Sequence, residues 1–225
     1  DSAAKDIANH KYDFLGLGRK LIADPELPNK SAAGMAQSIR PCIYCYICVS
    51  QIFINKPMLC AVNTDVGREY KGDLIASSTD TGRHYTVVGG GPGGMEAARL
   101  LATAGHRVSL FEKEPQLGGT ARIAALAYEP NGGLIDYLSG ELQRLKVDVR
   151  LNSPVNLASL KALNPDHVIV ATGAKREAPE IAGKNLKHVF DGEEMRGLLL
   201  GGDDRGLKKL NPIKRAWWQR PRHWA

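Results

Sequence analysis

The stretch "HYTVVGGGPGGMEAARLLATAGHRVSLFEKE", residues 84–114, decides the fold. A β-branched run, Tyr85 to Val88, enters the pattern Gly89-x-Gly91-x-x-Gly94. Met95, Ala98 and Leu101 then recur at helical spacing, and "RVSLFE" follows as a second strand. Each glycine has its own mechanical job. Gly89 permits the turn, Gly91 admits a pyrophosphate, and Gly94 lets helix and strand pack closely. Pro92 and Gly93 complete the loop assigned to the nucleotide, where a helix N-terminus offers free amides and a positive dipole end to phosphate. Glu112 ends the second strand 23 residues after Gly89, placed to accept hydrogen bonds from ribose hydroxyls. Such an acid favours FAD, NAD or ADP over a 2′-phosphorylated nucleotide. A glycine-rich turn without ligand is the competing interpretation; strand, helix and acid together weigh against it.

The pattern continues downstream. "QLGGTARIAA" (116–125) carries a second glycine pair, Gly118-Gly119, opening another helical stretch. A helix around "LIDYLSGELQRL", a strand "VDVRL" and a buried run "HVIVATGA" (167–174) follow. The last resembles the Ala-Thr-Gly strand end that flavin disulfide-reductase-type domains set beside their dinucleotide.

All four cysteines fall in "PCIYCYICVSQIFINKPMLC", residues 41–60: Cys42, Cys45, Cys48 and Cys60. The first residues, "DSAAKDIANHKYDF", hold no apolar secretory core, so a cytoplasmic, reducing setting is expected and disulfides are not. Three thiolates at intervals of three can converge from one compact loop, with the fourth arriving from a chain return. This triplet is the core of a bacterial iron–sulfur run. Zinc is the competing occupant, although structural zinc sites commonly pair two C-x2-C knuckles and the second knuckle is missing. Pro41 and Pro57 stiffen the two ends of the loop.

Upstream, "AAKDIANH" has helical character and "DFLGL" reads as a short buried strand running into a glycine-arginine turn. Gly16 and Gly18 would let amides approach an anion, and Arg19 supplies a donor fork suited to phosphate. One helix and one strand cannot close a barrel, so the remainder is expected upstream.

The net charge of +6 does not mark a nucleic-acid surface. From Asp203 onward seven Lys or Arg face two Asp, which gives +5; the rest is nearly neutral. The tail "KKLNPIKRAWWQRPRHWA" is read as a solvated or truncated end, with Trp217, Trp218 and Trp224 away from any recognisable element. No apolar run of membrane-spanning length occurs. No Ser/His/Asp constellation presents itself, and the six histidines have no ligand spacing.

"GLGRKLIADPELPNK", "RPCIYCYIC…C", "VVGGGPGGMEAAR" and "LFEKEPQLGGTARIA", in that order, resemble iron–sulfur flavoprotein oxidoreductases of the old-yellow-enzyme type. That group includes 2,4-dienoyl-CoA reductases and trimethylamine dehydrogenase, and the resemblance reaches to about residue 200. It implies an α/β chain: the tail end of an FMN-binding (β/α)8 TIM barrel over 1–40, then a cluster segment and linker over 41–82. An incomplete Rossmann-like FAD/NAD(P)-binding domain would occupy 83–200, and a basic, Trp-rich tail 201–225. By the same resemblance Gly18 and Arg19 contact the FMN phosphate, and Cys42, Cys45, Cys48 and Cys60 hold a [4Fe–4S] cluster. Gly89, Gly91, Pro92, Gly93, Gly94, Glu112, Gly119, Thr172 and Gly173 line FAD or ADP.

The expected function is electron relay from NAD(P)H through FAD, cluster and FMN to an unsaturated small-molecule substrate. Two alternatives stand beside it. One is an amine dehydrogenase or demethylase passing electrons outward to an electron-transfer protein; the other is a noncatalytic nucleotide- and metal-binding module. The C-x2-C-x2-C spacing is closer to trimethylamine dehydrogenase than to the dienoyl-CoA reductases. Most of the barrel is absent, so the chain is expected to be an internal piece that does not turn over substrate alone.

Overall fold

Short helices dominate the first part of the chain: α1 (Ser2–Ala8), α2 (Gly18–Ala23), α3 (Leu27–Ala32) and α4 (Ile47–Phe53). The computed structural model describes residues 2–71, 82–174, 179–201 and 204–218. The expected strand "DFLGL" is not formed. Residues 14–17 belong to no helix or strand, and Phe14 is 91% exposed. A strand holds only where a neighbour pairs its N–H and C=O groups, and among the described residues none does so here.

The alternating segment behaves as its pattern predicts. β1 (His84–Val88) leads into α5 (Pro92–Thr103) and β2 (Arg107–Phe111). Helices α6 (Ala121–Ala127) and α7 (Pro130–Arg144) then precede β3 (Asp148–Arg150). Helix α8 (Leu157–Leu163), capped by Asn156, leads to β4 (His167–Val170). The strands form one parallel sheet in the order β3-β2-β1-β4. Each parallel pair needs a crossover, and the helices supply it.

One sheet face carries the core. Val87, Val108 and Leu110 pack on Met95 and Ala98 of α5 and on Tyr137, Leu138 and Leu142 of α7. The other face is polar near its lower edge, where His84 Nε2 lies 3.0 Å from Ser109 Oγ, and Ser109 donates to Asp148 at 3.3 Å. β4 corrects the expectation of a buried run. It forms the sheet's edge, with Val170 73% exposed. An apolar β-branched run satisfies strand formation whether or not a layer covers it.

After β4, α9 (Gly192–Leu200) starts on a reciprocal Asp191–Glu194 capping box. Lys209, at the end of α10 (Arg205–Lys209), donates to Glu194 Oε2 at 2.7 Å and pins the two helices together. Trp217 and Trp218 are not outside regular structure, as expected, but end α11 (Pro212–Trp218). Trp224 lies outside the described residues.

Two glycine substitutions should separate packing from conformational entropy. A Cβ on Gly94 would meet the Gly89 carbonyl oxygen at 1.9 Å, whereas one on Gly140, inside α7, meets nothing within 4 Å. Gly94→Ala is expected to cost about 1–3 kcal/mol or more, and Gly140→Ala to stabilise by about 0.4–1 kcal/mol. Thermal or urea unfolding of both variants checks the opposite signs.

Candidate cofactor sites

The glycine-rich loop leaves β1 at the carboxyl end of the sheet, beside the end of β4, where strand order reverses. Gly89 has φ 113°, and a Cβ there would meet the Ala171 carbonyl oxygen at 2.3 Å. The turn therefore seats directly on the Ala171-Thr172-Gly173 segment. Gly91 and Gly93 are different: a Cβ on either meets nothing within 4 Å. Gly91 is also the N-cap of α5, Pro92 is its first residue, and no side chain caps the helix. The first amides of a helix lack intrahelical partners, so this end of α5 is a cradle with uncommitted donors.

Gly119 sits across the same cradle, its would-be Cβ 3.1 Å from Gly91 Cα, and Gly118 N–H donates to the Gly90 carbonyl at 2.7 Å. The second glycine pair is thus clipped onto the first loop. Glu112 is brought to the site but is already engaged. Buried at 7% exposure, it accepts from Gly90 N–H at 2.6 Å and Glu114 N–H at 2.9 Å, one on each carboxylate oxygen. Its visible role is to brace the loop; each oxygen keeps a further lone pair for another donor.

The cysteines converge. Cys42, Cys45, Cys48 and Cys60 line one pocket with Ile22, Ile43, Ile47 and Val62. All four are free, Cys48 buried and Cys45 exposed. Tyr44 and Tyr46, on either side of Cys45, adopt left-handed backbone with φ of 52° and 59°. Bulky residues avoid that region, and here it winds the loop back on itself before α4. Tyr44 N–H points at Cys42 Sγ at 3.4 Å. Among the described residues, no three His, Cys, Asp or Glu side chains are gathered tightly enough to share one metal ion.

Gly18 opens α2 rather than a turn, and Arg19 in its first turn joins the cysteine pocket. Its guanidinium lies 4.4 Å from the Tyr46 ring centre and 5.2 Å from that of Tyr44. Hydrogen bonding to Tyr46 chiefly raises the Arg19 pKa, against desolvation, with smaller contributions from Tyr46, Cys42 and Cys48 charge. Arg19 Nη1 is buried and has no hydrogen-bond partner among the described residues. Sequence reasoning missed the two tyrosines, and also Arg40 and Asn63, which hold the pocket from behind. An arginine abutting the first cysteine pair was the one available signal.

Residues 87–139 match the family model for an NAD(P)-binding Rossmann-like domain. The chain is 41% identical over 195 residues to bilirubin reductase of Mediterraneibacter gnavus, covering 85% of this chain and 30% of that protein. It is 38% identical over 179 residues to N,N-dimethylglycine/sarcosine dehydrogenase of Chromohalobacter salexigens, covering 78% and 26%. A solved 2-naphthoyl-CoA reductase in complex with 2-naphthoyl-CoA superposes with a TM-score of 0.80 at 33% identity, covering 88% of this chain and 30% of that one. The chain belongs to the old-yellow-enzyme/trimethylamine-dehydrogenase-like flavoprotein family. The chain spans about 30% of the length of the relatives it matches. Those relatives are oxidoreductases, some reductases and some amine dehydrogenases. No helix among the described residues is long and apolar enough to cross a membrane.

Glu112→Gln tests the cradle. A neutral amide cannot accept on both sides, so one of the Gly90 and Glu114 amides loses its acceptor. The expected cost is about 1–3 kcal/mol, with weakened ADP binding by calorimetry. Unchanged stability and affinity would remove Glu112 from the site.

Proposed function

We propose that this chain is the dinucleotide-binding and electron-relay part of a flavin-dependent oxidoreductase that uses NAD(P)H to reduce an unsaturated, enoyl-type substrate. In this reading residues 1–40 are the end of an FMN-binding barrel, 41–82 the cluster segment and linker, and 83–200 the FAD- or ADP-binding domain. One observation carries it: four cysteines from two chain segments line a single pocket walled by aliphatic side chains.

The donor chemistry supports a [4Fe–4S] cluster over zinc. The C-x2-C-x2-C triplet with one remote cysteine is the ligand order of an iron–sulfur run, whereas structural zinc sites commonly pair two C-x2-C knuckles. When bound, the cluster carries single electrons between two flavins that cannot touch. Tyr44 N–H donates toward Cys42 Sγ. Ile22, Ile43, Ile47 and Val62 give the pocket an aliphatic wall. Arg19 places a fixed positive charge beside Cys42 and Cys48, and its partnerless Nη1 is a donor free for the FMN phosphate. At the other site, the uncapped start of α5 takes the pyrophosphate between Gly91 and Gly119, with Thr172 and Gly173 on the β4 side.

The 38% identity to a dimethylglycine/sarcosine dehydrogenase, together with the C-x2-C-x2-C spacing, supports a second reading: amine oxidation with electrons passed to a partner protein. Nicotinamide oxidation by the holoenzyme separates the two.

Anaerobic reconstitution with ferrous iron and sulfide tests the carrying observation. The protein should turn brown with about four irons and four sulfides per chain, and Cys60→Ser or Cys48→Ser should abolish this while ADP binding persists. No enoyl reduction is expected from this chain alone. Stoichiometric zinc without sulfide, or iron uptake indifferent to Cys60→Ser, would overturn the assignment.

A further inference from the structure

Arg40 precedes Cys42 by two residues and reaches every segment that surrounds the cysteine pocket. Its backbone N–H donates to Asp24 Oδ2 at 2.7 Å, and the same buried oxygen accepts from Lys30 Nζ at 2.7 Å. Its Nη1 donates to Asn63 Oδ1 at 2.9 Å, three residues past Cys60, and Asn63 Nδ2 donates to the carbonyl of Ile22 at 2.9 Å. Its Nη2 lies 3.8 Å from Glu96 Oε1 on α5, and its guanidinium stands 5.7 Å from the Tyr137 ring centre on α7. Glu96 is held by a two-pronged bond from Arg99, both contacts at 2.8 Å. The Arg40 side chain is only 10% exposed, so these contacts are made largely away from water.

Cys42, Cys45 and Cys48 share one loop and move together, but Cys60 arrives on a separate stretch. Local structure does not fix its distance from the other three. The bond from Arg40 to Asn63 does, because it ties the residues just before Cys42 to those just after Cys60. The Glu96 and Tyr137 contacts then set that assembly against the dinucleotide domain. A planar fork satisfies these partners at once; a lysine reaches one at a time.

We infer that Arg40 is a positioning residue, fixing Cys60 against the Cys42–Cys48 loop and seating the cysteine pocket on α5. As a statement about cluster assembly, this rests on the [4Fe–4S] reading above; as a statement about thiol placement, it does not.

The two parts are tested separately. In metal-free protein, alkylation by iodoacetamide, followed by mass spectrometry, should be about tenfold faster at Cys60 in Arg40→Gln than in wild type, the ratio set by one charge-assisted hydrogen bond. Cys45, already exposed, should keep its rate and serves as the internal control. Asn63→Ala, which leaves the Arg40 contacts to Asp24, Glu96 and Tyr137 in place while cutting the Asn63 bonds to Arg40, Ile22 and Asp65, should reproduce the effect and covers the case in which Arg40→Gln does not fold. In reconstituted protein, iron release to a ferrous chelator should quicken by a similar factor in Arg40→Gln, the electron paramagnetic resonance signal of the reduced protein should broaden, and Arg40→Lys should recover only part of both. A Cys60 rate unchanged in Arg40→Gln and Asn63→Ala overturns the inference. Wild-type protein that takes up no iron and sulfide, with the Cys60 rate still raised in the variants, sinks the cluster reading and leaves the thiol placement standing.

Discussion

No side chain fits between α5 and the loop that feeds it. A Cβ on Gly94 would lie 1.9 Å from the Gly89 carbonyl oxygen, and one on Gly89 would lie 2.3 Å from that of Ala171. These two contacts pin the end of β1, the start of α5 and the end of β4 into one rigid corner, and both sites hang from it. The N-terminus of α5 faces the dinucleotide cradle. Glu96, about one turn further along at roughly 1.5 Å per residue, faces Arg40 and through it the cysteine pocket. One helix is thus a shared beam, so the spacing between the sites is fixed by helix geometry instead of by a linker.

The Rossmann-like half was legible because its signals are local and periodic. Strand, glycine spacing and the Met95-Ala98-Leu101 stripe each have few other uses, and β1, α5 and β2 formed where the pattern put them. The grouping of Cys42, Cys45 and Cys48 was legible from their spacing for the same reason; the arrival of Cys60 at the same pocket depends on the fold. What failed depended on neighbours. "DFLGL" has the composition of a strand but nothing beside it to pair with among the described residues, and "HVIVATGA" became an exposed edge because burial is a property of the layer above a strand. Glu112 shows a subtler limit: the motif located the acid correctly, but not its bonds to Gly90 and Glu114. Asn63 was illegible, and Arg40 was visible only as an arginine near the first cysteine. Single polar residues in an aperiodic segment gain meaning only when the chain brings residues 22, 40, 63 and 96 together.

Left-handed backbone at Tyr44 and Tyr46 is costly for large side chains, on the order of 1–3 kcal/mol each, so something must hold it. Arg19 stacks over both rings, which ties the strained loop to α2. The pocket wall is otherwise aliphatic or aromatic, and among the described lining residues Arg19 is the one cation. Four thiolates in such a wall would repel one another in a low-dielectric space, and a single guanidinium offsets part of that repulsion. The buried acid two residues past the pocket-lining Ile22 is kept out of the balance. Asp24 directs one carboxylate oxygen to Lys30 and to the Arg40 amide, and the other to the Glu26 amide. The segment therefore separates its charges by purpose: Asp24 is spent on structure behind the pocket, and the positive charge of Arg19 is left facing the sulfurs. Among the described residues that line the pocket, the sulfurs thus meet one cation and no carboxylate.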